Sequence, residues 1–335
     1  MNRLQRAFIR LKPVHAFIEW TKVTVLRGFS PLPIYTIATF FFREIARESL
    51  ATKASSLAYN FMLAIFPGSI FLCTLIPYIP ITNFQDGLLE LIKLVLPENA
   101  FMAVKSTLEE IIKKQNGGLL SFGFVTALFF ATNGLHGLMK AFNKSSLTLE
   151  SRSWLKQRLV ALALTLVTVT ALIMGLGIIT IGEYILSVIR SNTPDFHLKE
   201  SFWTFLIDLG KWFILVCVYF ITISILYRYG PATAKKWRLF SAGAWMATTL
   251  ALLTFWGFAI YISNFTSYNK LYGSIGTLIV VMVWLYINSL IILVGFELNA
   301  SIDLSKRSIR IVKPKFNSFK EPVDEKFEGN RLKNL

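Results

Sequence analysis

Four ionisable side chains, Glu183, Asp208, Lys211 and Glu297, fall inside long apolar runs. A charge in such a setting is costly, so each is expected to have a partner, a wet surface or a task. Asp208 and Lys211 are spaced i, i+3, which places them on one helix face and lets them pair. Glu183, Asp208 and Lys211 are expected to form a polar cluster near the outer membrane surface. One carboxylate would pair with Lys211, and the other would be left to hold a proton, a cation or a lipid headgroup. The structural alternative is an ion pair plus an interfacial Glu183. A second set, Asn60, Asn133, His136, Asn143, Glu297 and Asn299, falls toward the inner edge. These residues are expected to gather, with Glu297 held by the amides or by Arg228. Buried amides also join helices without binding any ligand.

Other chemistries lack their residues. A metal-dependent nuclease needs clustered His and Asp around its ions. The three histidines, His15, His136 and His197, lie in separate regions. Cys73 and Cys217 both sit in apolar runs and support neither a disulfide framework nor a metal site. No glycine-rich phosphate loop precedes a Lys-Ser/Thr pair, so no site for ATP hydrolysis is visible. No strand–turn–helix setting presents a nucleophilic serine. The sequence therefore predicts no catalytic residue, no metal and no cofactor.

The elements that must position the polar residues are membrane spans. Of 335 residues, 54% are hydrophobic and 16% charged, where a soluble domain carries about 25% charged. Mean hydropathy is +0.55. Six stretches, near 57–79, 119–142, 159–189, 202–227, 239–262 and 274–300, supply the roughly 20 apolar residues that a crossing needs. The third exceeds a straight crossing, and Gly175, Gly177 and Gly182 offer places to bend. The fold predicted is an all-α integral membrane protein, a six-span helical bundle with amphipathic interfacial helices. Small pairs at Ala127/Ala131, Ala171/Gly175 and Ala247/Ala251 permit close helix approach.

The formal charge of +16 has an orientation rather than a nucleic-acid partner as its cause. Lys and Arg number nine before the first span, five between the second and third, four between the fourth and fifth, and nine in the tail. The intervening regions hold four, two and one. That alternation predicts an even number of spans and cytoplasmic termini. Residues 1–52 form a basic amphipathic segment, with Arg3, Arg6, Arg10 and Lys12 expected on an anionic inner leaflet. Within it, 34–50 reads as a juxtamembrane helix, or less readily as a partial seventh span. The membrane domain covers 53–305, and 306–335 is a charged cytoplasmic tail. In the external loop, 80–118, Leu88, Leu91, Ile92 and Val95 recur at helical spacing, as do Val104, Leu108, Ile111 and Ile112 after Pro97. Two amphipathic helices are expected there.

Four segments also carry a resemblance. They are KASSLAYNFMLAIFPGSIFLCTLIPYIP (53–80), ATNGLHGLMKAFNK (131–144), RYGPATAKKWR followed by AGA (228–244), and the stretch 263–300 with its Y-G-S-x-G and G-x-E-L-N-A elements. Together they resemble the BrkB/YihY family of bacterial inner-membrane proteins, once labelled ribonuclease BN. Gly134 and His136 depart from the small apolar residues and Ser usual at that point. The resemblance implies a membrane fold and raises Glu297 among the candidate residues. It also implies transport or flipping of a lipid or other amphiphile. The other readings are a non-transporting envelope scaffold and a small-solute or ion permease.

Overall fold

The computed structural model describes residues 12–25, 33–47, 49–80, 84–95, 98–146, 148–192, 197–233, 237–263 and 266–318. These form helices, joined by one 3-10 turn and an isolated bridge between Val25 and Pro33. Two short helices come first, α1 (Lys12–Val23) and α2 (Ile34–Arg47). The first long helix is α3 (Leu50–Leu75), which ends in a 3-10 turn at Ile76–Tyr78. A pair of shorter helices follows, α4 (Phe84–Val95) and α5 (Glu98–Lys113). The remaining helices are α6 (Gly117–Ser145), α7 (Trp154–Asn192), α8 (His197–Tyr229), α9 (Ala242–Ser263) and α10 (Thr266–Ser318). Six of them, α3 and α6 to α10, are long and apolar enough to cross a membrane. Helices are the expected answer in hydrocarbon, because each satisfies its own backbone polar groups.

At 39 residues, α7 runs without a break through Gly175, Gly177 and Gly182. Its length of about 58 Å exceeds a hydrocarbon core of about 30 Å, so it extends beyond the bilayer. Gly175 and Gly182 lie against α8 instead, while a Cβ at Gly177 would meet nothing within 4 Å. A Cβ at Gly182 would lie 2.9 Å from Cδ of Lys211 on α8, so the lysine stem lies against bare backbone. Helix α2 is too short to span. Its Ile37 and Phe41 are buried, Tyr35 and Phe42 are exposed, and it packs on α10. A helix thus forms where the sequence predicts one over 34–50, and it is not among the candidate spans. Arg3, Arg6 and Arg10 lie outside the described residues, and Lys12 opens α1.

The segment between α3 and α6 forms the two expected helices, packed on each other and on the end of α3. Lys113 of α5 pairs with Asp86 of α4 at 2.7 Å. Gln85 donates to the carbonyls of Ile76 and Ile79, and Gln115 to that of Pro77, which ties the hairpin to the turn after α3. Leu89 and Ile112 are its buried apolar positions among those described.

The six spans follow one another in a ring, α3–α6–α7–α8–α9–α10 and back to α3, with a further contact between α6 and α10. Burial within this ring is one-sided. On α3 it runs from Leu50 to Met62 and returns only at Thr74, beneath the hairpin. On α6 it starts at Gly134, apart from Gly123 against Phe71. On α7 it ends at Thr165, apart from Gly182. On α8 it starts at Phe220 and on α9 it ends at Thr248. On α10 it starts at Ser289, apart from Gly276. The half of the bundle nearest the termini is therefore a solid core, and the other half is not filled at the described positions.

The core is fastened where α9 crosses α10. A Cβ at Gly243 would collide with the Gly295 carbonyl and approach Asn299, and one at Gly295 would meet the Tyr227 hydroxyl and Ala247. Tyr227 of α8 donates to the Ile292 carbonyl at 2.7 Å, so three helices meet there. Phe142 stacks on Phe296 with ring centroids 3.9 Å apart, and Tyr227 sits edge-on to both. Gly243→Ala should therefore lower stability by roughly 1–3 kcal/mol through overpacking. Gly257→Ala, with nothing within 4 Å of the added carbon, should leave it unchanged or slightly raised. Thermal unfolding of the two purified variants in one detergent checks the contrast.

Candidate functional site

The outer cluster forms, and it differs from the expected pairing in one respect. Lys211 Nζ lies 2.7 Å from Glu183 Oε1 and 2.9 Å from Asp208 Oδ1, so the one ammonium pairs with both carboxylates. Neither carboxylate is left without its share of the lysine. The i, i+3 spacing on α8 brings Asp208 to Lys211, and the close passage over Gly182 brings Lys211 to Glu183 of α7. The lysine side chain is 12% exposed, against 62% for Glu183 and 44% for Asp208. The cluster is thus a largely covered cation with two carboxylates turned toward the surface. It lies well beyond Thr165 and Phe220, in the unfilled half of the bundle.

The inner set does not gather into one cluster. Asn60 is half-buried and donates to the Ser56 carbonyl of its own helix. Asn133 accepts from Arg158 Nη1 at 2.6 Å, across the α6–α7 contact. His136 lies near Lys140, Arg158, Glu150 and Arg152. Asn299 accepts from the Gly243 amide at 2.8 Å and donates to Ser241 at 2.9 Å, which fixes the start of α9 on α10. Arg228 donates to the Trp237 carbonyl at 3.2 Å. Glu297 itself is fully buried in the packed core. The reason for the dispersal is helical phase: six spans present their inner ends to different neighbours around the ring, and a shared depth does not make a shared face.

A second polar assembly escapes a search of the apolar runs because it lies between them. Glu150 and Arg152 occupy the loop joining α6 to α7. Arg152 Nε donates to Glu150 Oε1 at 2.7 Å and its Nη2 to Oε2 at 2.8 Å, a two-pronged ion pair. The same Nη2 reaches the Gly230 carbonyl at 3.0 Å. Asn143 donates to Glu150 at 2.7 Å and accepts from the Ala232 amide at 2.7 Å. Two loops distant in sequence are thereby knotted together over the end of the core. The sequence does carry a signal for it: Glu150 is the lone acid in an otherwise basic loop.

Among the described residues, no three His, Cys, Asp or Glu side chains come together as metal ligands. The arrangement consists of apolar spans, an intramembrane charge cluster and a knotted loop face. It defines a polytopic helical membrane protein. The comparisons agree on that class and give the family. Residues 41–315 match the family model described as Virulence factor BrkB. The chain is 32% identical over 256 residues to the putative ribonuclease-like protein YfkH of Bacillus subtilis, covering 76% of this chain and 91% of that one. It is 25% identical over 264 residues to a UPF0761 membrane protein of Stenotrophomonas maltophilia, covering 78% and 60%. A UPF0761 membrane protein of Xanthomonas oryzae is likewise 25% identical over 265 residues, with 78% and 60% covered. The matched region thus spans less than two thirds of the UPF0761 relatives. No solved structure matches. The chain belongs to the BrkB family of membrane proteins.

The Glu150 carboxyl is pulled down to about 2 from its ordinary 4.5, chiefly by the hydrogen bonds from Arg152, against a smaller opposing effect of burial. A depressed carboxylate adds stability above the unfolded pKa and loses it as pH falls through the folded one. Glu150→Gln should therefore unfold at lower temperature than the parent at pH 7. The difference should shrink from about pH 4.5 downward and vanish near pH 2. Paired melting curves across that range measure it.

Proposed function

We propose that this protein moves a lipid or another amphiphile across the bacterial inner membrane without hydrolysing ATP, with both termini in the cytoplasm. The observation that carries this reading is the one-sided filling of the bundle. A purely structural bundle gains from packing its helices along their whole length, because dispersion contacts drive helix association in lipid. Here burial at the described positions falls away at a common level in all six spans, apart from Thr74, Gly123, Gly182 and Gly276, and the half beyond it holds a charged cluster. Such a half suits entry of a headgroup from one leaflet, while the packed core and the Glu150–Arg152 knot close the other side. Glu183, Asp208 and Lys211 would receive the headgroup or the coupling ion. The orientation follows from the alternation of basic residues.

The scaffold reading also has an observation in its favour. Glu297, the acid expected to line a path, lies sealed within the core. Under that reading the basic face would support envelope assembly, and nothing would cross.

Reconstitution in liposomes with headgroup-labelled lipid separates the two. Translocation predicts faster loss of outer-leaflet asymmetry than in protein-free vesicles. It also predicts a slowing of several-fold in the paired variant Glu183→Gln, Asp208→Asn. Accessibility equal to that of protein-free vesicles, for a range of headgroups, would favour the scaffold.

A further inference from the structure

The geometry points to a binding site for the phosphate headgroup of an anionic lipid between α6 and α7, in the leaflet on the side of the termini. Asn133, His136 and Lys140 lie on α6 at spacings of three and four, so they form one stripe along the helix. Arg158 and Trp154 lie one turn apart on α7 and face that stripe, since Arg158 Nη1 donates to Asn133 Oδ1 at 2.6 Å. The Trp154 ring, 69% exposed, sits with its centroid 5.9 Å from the guanidinium carbon. This is the interfacial depth at which tryptophan rings anchor.

Three features make the cleft a receptor for phosphate. First, it is cationic: Lys140 and Arg158 both stand beside His136, and the nearby Glu150 is already paired with Arg152. Second, it holds unused donors. A guanidinium has five N–H groups, and the described hydrogen bond of Arg158 uses one. Third, it opens sideways. Lys140 is exposed, and Phe129, one turn deeper on α6 than Asn133, is exposed as well. An acyl chain would follow Phe129 into the hydrocarbon while its phosphate met Lys140 and Arg158. Basic pockets between helices near the cytoplasmic surface favour anionic headgroups for this reason. The site stands independently of whether the opposite half of the bundle carries cargo.

The full chain in detergent micelles, titrated with phosphatidylglycerol or phosphatidylcholine of identical acyl chains and followed by native mass spectrometry, tests the site. Phosphatidylglycerol should be retained in preference. The double variant Lys140→Gln, Arg158→Gln should retain it roughly tenfold less. Lys105→Gln, Lys114→Gln on the external hairpin should retain it as the parent does. If the double variant fails to fold, Lys140→Gln alone decides, because it leaves the Arg158–Asn133 bond in place; it should lose retention several-fold. Equal retention of the two lipids, or unchanged retention by a folded Lys140→Gln variant, would overturn the site. Displacement of the lipid by millimolar inorganic phosphate would identify a free-anion site and overturn its assignment to lipid.

Discussion

The close crossing of α9 over α10 is the contact on which the rest of the bundle depends. Helices in lipid gain little from hiding apolar surface, so they associate through contact area and through polar groups that must be satisfied. Gly243 and Gly295 remove the side chains that would hold the two backbones apart. That proximity lets Asn299 take the Gly243 amide, one of the N-terminal donors that α9 cannot satisfy internally. It also leaves room for Tyr227 to reach the Ile292 carbonyl. Phe142 and Trp237 then close on Phe296 from α6 and from the loop before α9. The packed half of the molecule grows outward from this point, and the loop knot at Glu150 sits over it.

Three kinds of contact hold the ring at different depths. The α3–α6 pair is joined along its length, from Gly137 against Leu57, through Gly134 against Phe61, to Gly123 against Phe71. The α7–α8 pair is joined through Gly175 and Gly182. The α9–α10 pair continues through Phe255 and Phe258 on Trp284. Each pair therefore persists into the unfilled half. Arg158–Asn133 and Phe220–Trp245, which join one pair to the next, belong to the filled half, while Trp212 on Phe255 also joins α8 to α9 beyond it. Parting of the pairs at that end would leave their internal contacts in place and break the Trp212–Phe255 contact.

Much of this was legible in the residues. Hydropathy alone locates six spans, because a crossing needs a long apolar run and few charges interrupt it. The Asp208–Lys211 pair follows from spacing, and the external hairpin from periodicity. Contacts that depend on which helix faces which do not follow. Of the small pairs at helical spacing, only Ala247 lies at the α9–α10 crossing; Gly243 and Gly295, on different helices, share no sequence spacing. Glu150 and Arg152 fall in a short loop, where a charge costs little, so they draw no notice until the loop after α8 is seen to touch them. The inner amides looked like one cluster because depth can be counted from sequence and azimuth around the ring cannot.

The outer cluster raises a question of charge that composition alone could not frame. One ammonium between two carboxylates leaves a net charge of −1 when all three ionise. In a filled, dry bundle that surplus would carry a desolvation penalty of several kcal/mol. Here both carboxylates are exposed, in a part of the ring whose described positions are not packed. Water or lipid headgroups reaching them would remove most of the penalty. A proton, a cation or a cationic headgroup bound beside Lys211 would neutralise the rest. The unfilled half and the unbalanced charge are thus two aspects of one arrangement. Filling that half with apolar side chains would strand the charge, and replacing one acid with an amide would remove the reason for anything charged to enter.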